Sequence, residues 1–150
     1  MNKKVVSIAL LIAWMVAVFC FSAQNATQSS EVSGGVTDNI LIFFSAFGEY
    51  KEIAETLIRK LAHFSIYAIG GALAMWHFGM YKFKCAKAIL LAQVFGTLYA
   101  ITDEIHQYFV PGRACQLRDV LIDSLGVAVG ILVVLIIKEI IRRANQCKKS

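Results

Sequence analysis

The chain has 150 residues, 58% of them hydrophobic and only 17% charged, with a single proline and a formal net charge of +5. Its mean hydropathy of +0.64 lies outside the range of soluble globular domains and excludes a water-soluble enzyme and a disordered chain alike. The basic residues sit at the ends and in the connections of long apolar runs, so the positive balance does not form a nucleic-acid-binding patch.

A hydrocarbon layer of roughly 30 Å needs about 20 helical residues at ~1.5 Å each. Four windows meet that length, at about 5–23, 61–80, 86–106 and 119–140. Backbone polar groups in lipid must satisfy one another, so each window is expected as a helix. The expected fold is all-α: an integral membrane four-helix bundle, forming a single domain over 1–150. The first window, opening MNKK, also has the layout of a signal peptide. Phe21 at the −3 position of the Ala23 cleavage site and Phe19 ahead of Cys20 both speak against processing, and the reading adopted is a span.

Lysine and arginine set the orientation, because cytoplasmic segments near span ends are enriched in them. Lys3, Lys4, Lys82, Lys84, Lys87, Lys138, Arg142, Arg143, Lys148 and Lys149 fall on one side, accompanied by Glu139 alone of the ten acids. Both termini and the second-to-third connection are therefore expected in the cytoplasm of a multi-pass cell-membrane protein. The 24–60 segment and the connection after the third span are expected outside.

Within that first outer segment, Gln24 to Val36 is Ser- and Gly-rich and reads as a loop. Thr37 or Asp38 is a plausible N-cap for an apolar stretch from Ile40 to Phe47, too short to span, and Glu49 to Lys60 has a helical period. One or two short helices at the outer interface are expected there. Of the cysteines only Cys115 falls outside, which leaves it no outer partner within the chain and argues against a disulfide framework.

Behind the third apolar run comes YAITDEIHQYFVPGR, Tyr99 to Arg113, dense in ionisable groups. Residues three and four apart share a helix face. Lys60, His63 and Tyr67 share one on the second span, Tyr99, Asp103, His106 and Gln107 on the third, and Asp119, Asp123, Gly126 and Gly130 on the fourth. All three faces lie at the same outer depth. Asp123, one turn inside the membrane, costs at least ~2.5 kcal/mol unless paired, hydrated or protonated. Gly126 and Gly130 have the small-xxx-small spacing that lets helices approach closely and would draw Asp123 into the bundle. His77, beside Trp76 at the cytoplasmic end, reads as an interfacial residue.

Four readings compete for this cluster. Lys60, Arg113 and Arg118 could neutralise Asp103, Glu104, Asp119 and Asp123 in a structural ion network. His63, Asp103, His106 and Asp119 or Asp123 could hold a divalent metal, but no HExxH or CxxC signature supports this and no metal is assigned. Asp123 could relay ions or protons in a small transporter. Finally, the cluster could hold a phosphate- or glycan-bearing head group at the lipid edge, with Lys and Arg as anion clamps and Asp, Glu or His as acid and base.

The order Lys60-x-x-His63-Phe64-x-x-Tyr67, then Tyr99-x-x-x-Asp103-Glu104-x-x-Gln107-x-Phe109, then Arg113, Asp119, Asp123 and Gly126 resembles the VanZ family of bacterial membrane proteins. The resemblance runs from about Lys60 to Ile131, and the first span with its following FSAQ is similar to the family's amino-terminal pattern. Between Arg113 and Asp119, ACQLR is bulkier than the small and polar residues expected. The resemblance implies a link to low-level resistance to the glycopeptide teicoplanin, and hence to the cell envelope with its lipid-anchored peptidoglycan precursors. The expectation that follows is an outer polar site that binds or acts on such a ligand, with no cofactor assigned. If the protein is an enzyme, the helix-face grouping makes Asp103 or Glu104 with His106 the acid and base, with Lys60 and Arg113 holding an anionic head group; Lys60, His63, Tyr67, Gln107, Arg113, Asp119 and Asp123 would contact the ligand. The rival is a membrane scaffold without chemistry.

Overall fold

The computed structural model describes residues 2–23, 51–111 and 116–147, without the side chains of residues 51–55. Among them run four α-helices and no strand: α1, Lys3–Ser22; α2, Lys51–Phe78; α3, Cys85–Tyr108; and α4, Leu117–Cys147. α1, α3 and α4 are each long and apolar enough to cross a membrane. α2 lies among them, packing most extensively on α4 and touching α1 and α3 as well. The expected stretch from Ile40 to Phe47, with its Thr37 or Asp38 cap, lies outside the described residues.

The helix ends follow from local chemistry. Asn2 caps α1, its side-chain oxygen accepting from the Lys4 amide at 3.1 Å. α3 ends at Tyr108, shortly before Pro111, whose ring cannot continue a helix. Its last carbonyls are taken up by tighter bonds, Phe109 N to His106 O at 3.0 Å and Val110 N to Gln107 O at 2.9 Å. One boundary differs from expectation. Lys51 to Lys60 is not a separate interfacial helix but the start of α2, because no glycine or proline interrupts the helical period before Leu61.

The bundle has an apolar core with polar groups buried toward its two ends, and an apolar outer surface. Val5, Ile12 and Val16 of α1, Leu90 and Leu98 of α3, and Leu121, Leu125 and Leu132 of α4 are exposed, as lipid-facing positions should be. With lipid as apolar as leucine, close packing and interhelical hydrogen bonds must hold the helices together. Gly126 and Gly130 of α4 lie against the carbonyls of Phe64 and Ala68 on α2, and Gly71 of α2 lies against the backbone of Val127. A Cβ at any of the three would overlap backbone, so the α2–α4 contact depends on their absence of a side chain.

α1 is joined to this core by aromatic residues with polar tips. Trp14 packs edge-on to Tyr67 at 5.6 Å and against Tyr99 at 5.1 Å. Its indole N–H donates to the Ile66 carbonyl at 2.8 Å, while the Tyr99 hydroxyl donates to the Met15 carbonyl at 2.6 Å. Between α3 and α4, Gln93, Thr97 and Ser124 exchange hydrogen bonds of 2.8–3.1 Å. At the lysine-rich end, His77 is buried and its Nδ1 lies 2.8 Å from the Ser7 hydroxyl. It therefore ties α1 to α2 rather than facing the interface, a correction to its expected role.

Candidate functional site

At the opposite end from those lysines, polar side chains of α2, α3 and α4 converge. Asp123 lies six residues into α4, about 9 Å along its axis. Asp103 and Glu104 occupy the last turns of α3, and His63 and Tyr67 face them from α2. Helical spacing alone aligns each set, and the glycine contact between α2 and α4 brings the sets within reach of one another.

Burial here is nearly complete: Tyr67 is 0% exposed, Asp123 1%, Glu104 2%, Asp103 4% and Gln107 5%. One ligand atom from each of His63, Asp103 and Asp123 lies within 4.8 Å of the others. His63 Nδ1 stands 3.8 Å from Asp123 Oδ2, too far for a hydrogen bond. Neither Asp123 oxygen has a hydrogen-bond partner among the described residues, and the Tyr67 hydroxyl is buried beside Asp103 and Asp123. Buried polar atoms are almost always paired, so this end of the bundle is where a further polar partner, a water, an ion or a ligand group, fits best.

The neighbouring acids are differently placed. Gln107 donates to Asp103 Oδ2 at 3.0 Å and to the Ser22 hydroxyl of α1 at 3.2 Å. Glu104 Oε2 accepts from the Gln116 amide at 2.8 Å, holding the start of α4 beside the end of α3. A carboxylate at a helix N-terminus is favoured by the helix dipole, which identifies part of the role of Glu104 as positional. At the rim, Lys60 Nζ meets Asp119 Oδ1 at 2.7 Å, with both side chains partly exposed.

The expected residues thus divide. Lys60, His63, Tyr67, Asp103, Glu104, Gln107, Asp119 and Asp123 lie at one end of the bundle. His106 turns instead toward α1, its ring stacked on Phe19 at 4.4 Å with Nε2 buried and without a hydrogen-bond partner among the described residues. Arg113 lies outside the described residues, and Arg118 is exposed. Ser22 and Gln116 are partners that sequence reasoning missed. Ser22 carries a faint signal, a hydroxyl in the FSAQ that closes the first span, whereas the contribution of Gln116 is a main-chain amide, invisible in any residue pattern.

Four carboxylates, Asp103, Glu104, Asp119 and Asp123, face one described ammonium group, that of Lys60. In a buried setting like charges interact strongly, so these four carboxylates crowd one another, with Lys60, Arg59, Arg118 and a protonated His63 as the described cations at this end. Chemically the cluster can accept protons or hydrogen bonds, bind cations, and orient a polar group entering from the membrane edge.

A helical membrane bundle with a buried acidic cluster at one end is the class that fold and site define. The family described as VanZ/LLP1 matches residues 7–138, and the chain belongs to that family. The match includes α1, which extends it beyond the stretch of sequence that carries the motif. Comparison with curated proteins gives no match, and neither does comparison with solved structures.

Proposed function

We propose that the polar end of the bundle faces the outside of the bacterial cell membrane, where its cluster binds or acts on a lipid-anchored cell-envelope ligand bearing phosphate or glycan. Tolerance to teicoplanin is the resulting phenotype in some hosts. The observation that carries this reading is the burial of Asp103, Glu104 and Asp123, drawn from two helices, at one end of the bundle beside His63 and Tyr67. The family link to glycopeptide resistance supports the phenotype, and the lysine and arginine asymmetry supports the orientation.

If the ligand is transformed, Asp103 and His63 supply the acid and base. His106, expected in that role from spacing, is engaged with Phe19. Lys60 and Asp119 stand at the rim, where a head group would first meet the protein. The rival reading, a scaffold locked by an ion network, has in its favour the Lys60–Asp119 pair and the 3.8 Å approach of His63 to Asp123, although no hydrogen bond among the described residues holds the Asp123 oxygens. A relay is disfavoured because the mid-bundle polar group, Gln93, Thr97 and Ser124, contains nothing that titrates.

The native cysteines test the orientation. A membrane-impermeant maleimide should label Cys115, between α3 and α4, in intact cells, and should reach Cys85 and Cys147 only after lysis. Labelling of Cys85 in intact cells, with Cys115 protected until lysis, would place the cluster in the cytoplasm and overturn the proposal.

A further inference from the structure

We propose that His63, Asp103 and Asp123 form a binding site for a divalent transition-metal cation, of the kind represented by Zn²⁺ or Mn²⁺. The three residues come from three different helices, α2, α3 and α4, yet their ligand atoms lie within 4.8 Å of one another. Donors about 2.1 Å from one ion lie at most about 4.2 Å apart, so side-chain movements of some tenths of an ångström would close the set. The 3.8 Å between His63 Nδ1 and Asp123 Oδ2 already falls inside that limit.

The second, independent observation is Asp123 itself. It is 1% exposed, both of its oxygens lack a hydrogen-bond partner among the described residues, and it faces the other two donors. A carboxylate left so is costly in a membrane-embedded bundle unless it is protonated, paired with a protonated His63 or compensated by a bound cation, and a dication can replace the first two. A dication held by two carboxylates and an imidazole is formally neutral as a site, which removes that cost. One imidazole and two carboxylates suit Zn²⁺ or Mn²⁺ and offer no soft sulfur donor for Cu(I).

The donors have outer partners of the kind that hold metal ligands in place. Gln107 donates to Asp103, and Ser22 in turn accepts from Gln107. Three protein donors leave at least one coordination position for water or for an oxygen of an incoming ligand. This bears on the proposed function. A cation with an open position would add a binding point for a phosphate or glycan oxygen beside Lys60. The site itself stands on the geometry alone and does not depend on the envelope reading.

Purified full-length protein in detergent, stripped with EDTA and dialysed, is titrated with ZnCl₂ and separately with MnCl₂, with no envelope ligand present. The expected result is one equivalent bound by calorimetry and a rise in melting temperature for at least one of the two metals. Asp123→Asn and His63→Gln should each weaken the affinity by at least about tenfold. If one variant fails to fold, the other and the wild-type titration still decide. Absence of saturable binding by folded wild-type protein would overturn the proposal. So would undiminished binding by the double variant Asp103→Asn/Asp123→Asn, which would locate the metal elsewhere. Because no envelope ligand or host phenotype enters the measurement, its failure would leave the proposed function standing, and the converse also holds.

Discussion

Asp123→Asn should lower teicoplanin tolerance to that of cells lacking the protein, while leaving the purified bundle at least as stable in EDTA as the wild type. The Asp123 oxygens accept no hydrogen bond among the described residues, and their approach to His63 is 3.8 Å. An asparagine of nearly the same shape therefore breaks no hydrogen bond among the described residues; it gives up the 3.8 Å attraction to a protonated His63 and relieves the cost of a buried charge. A structural network behaves differently. Removing one partner of a buried ion pair strands the other and costs about 3–5 kcal/mol. Melting in detergent, measured beside the drug susceptibility of cells expressing equal amounts of each protein, separates the two. Lost stability in proportion to lost tolerance would return Asp123 to the framework.

Gly130→Leu should prevent the bundle from assembling at all. A Cβ at this position already overlaps the Ala68 carbonyl, and the remaining leucine atoms have no room between α2 and α4. The neighbour is main chain held in a helical ladder, which cannot retreat without moving the helix, so the cost should exceed about 3 kcal/mol. The same shift would separate His63 from Asp103 and Asp123, since the α2–α4 contact sets their distance. Gly96 provides the contrast. Its Cβ would meet the Val127 methyls, with the nearer contact at 2.6 Å, and a valine side chain can adjust where a carbonyl cannot. Gly96→Ala should therefore stay folded with a modestly lower melting temperature, while Gly130→Leu elutes as aggregate on size exclusion.

Much of this arrangement is legible in the residues because helical periodicity reports which side chains share a face. Lys60, His63 and Tyr67 on one helix, Asp103 and Gln107 on another, and Asp119 with Asp123 on a third are all sorted by spacings of three and four. The small-xxx-small pattern of Gly126 and Gly130 also points to the close contact that the structure contains. Periodicity does not report how one helix is rotated against the next. That is why spacing groups His106, one turn beyond Asp103, with the acids although it stacks on Phe19, and why His63 emerges as the imidazole beside them.

Contacts between distant parts of the chain are hidden for the same reason. His77 and Ser7 are 70 residues apart, and nothing local to either announces the 2.8 Å contact. Trp14 lies within an apolar span and Tyr99 is grouped by spacing with the acids, yet their polar tips bind carbonyls on neighbouring helices. The start of α2 is obscured because Lys51 to Lys60 is amphipathic while the following residues are apolar. The change in composition suggests a boundary, but the backbone continues through it.

The central claim, that the buried cluster serves a lipid-anchored envelope ligand, is tested most directly by lipid and muropeptide profiles of cells with the wild-type protein, with Asp123→Asn, and with none. The wild type should change the level of a lipid-anchored envelope intermediate or of the muropeptides made from it, and the Asp123→Asn profile should match that of cells without the protein. Identical profiles in all three, with tolerance intact in the Asp123→Asn cells, would contradict the claim.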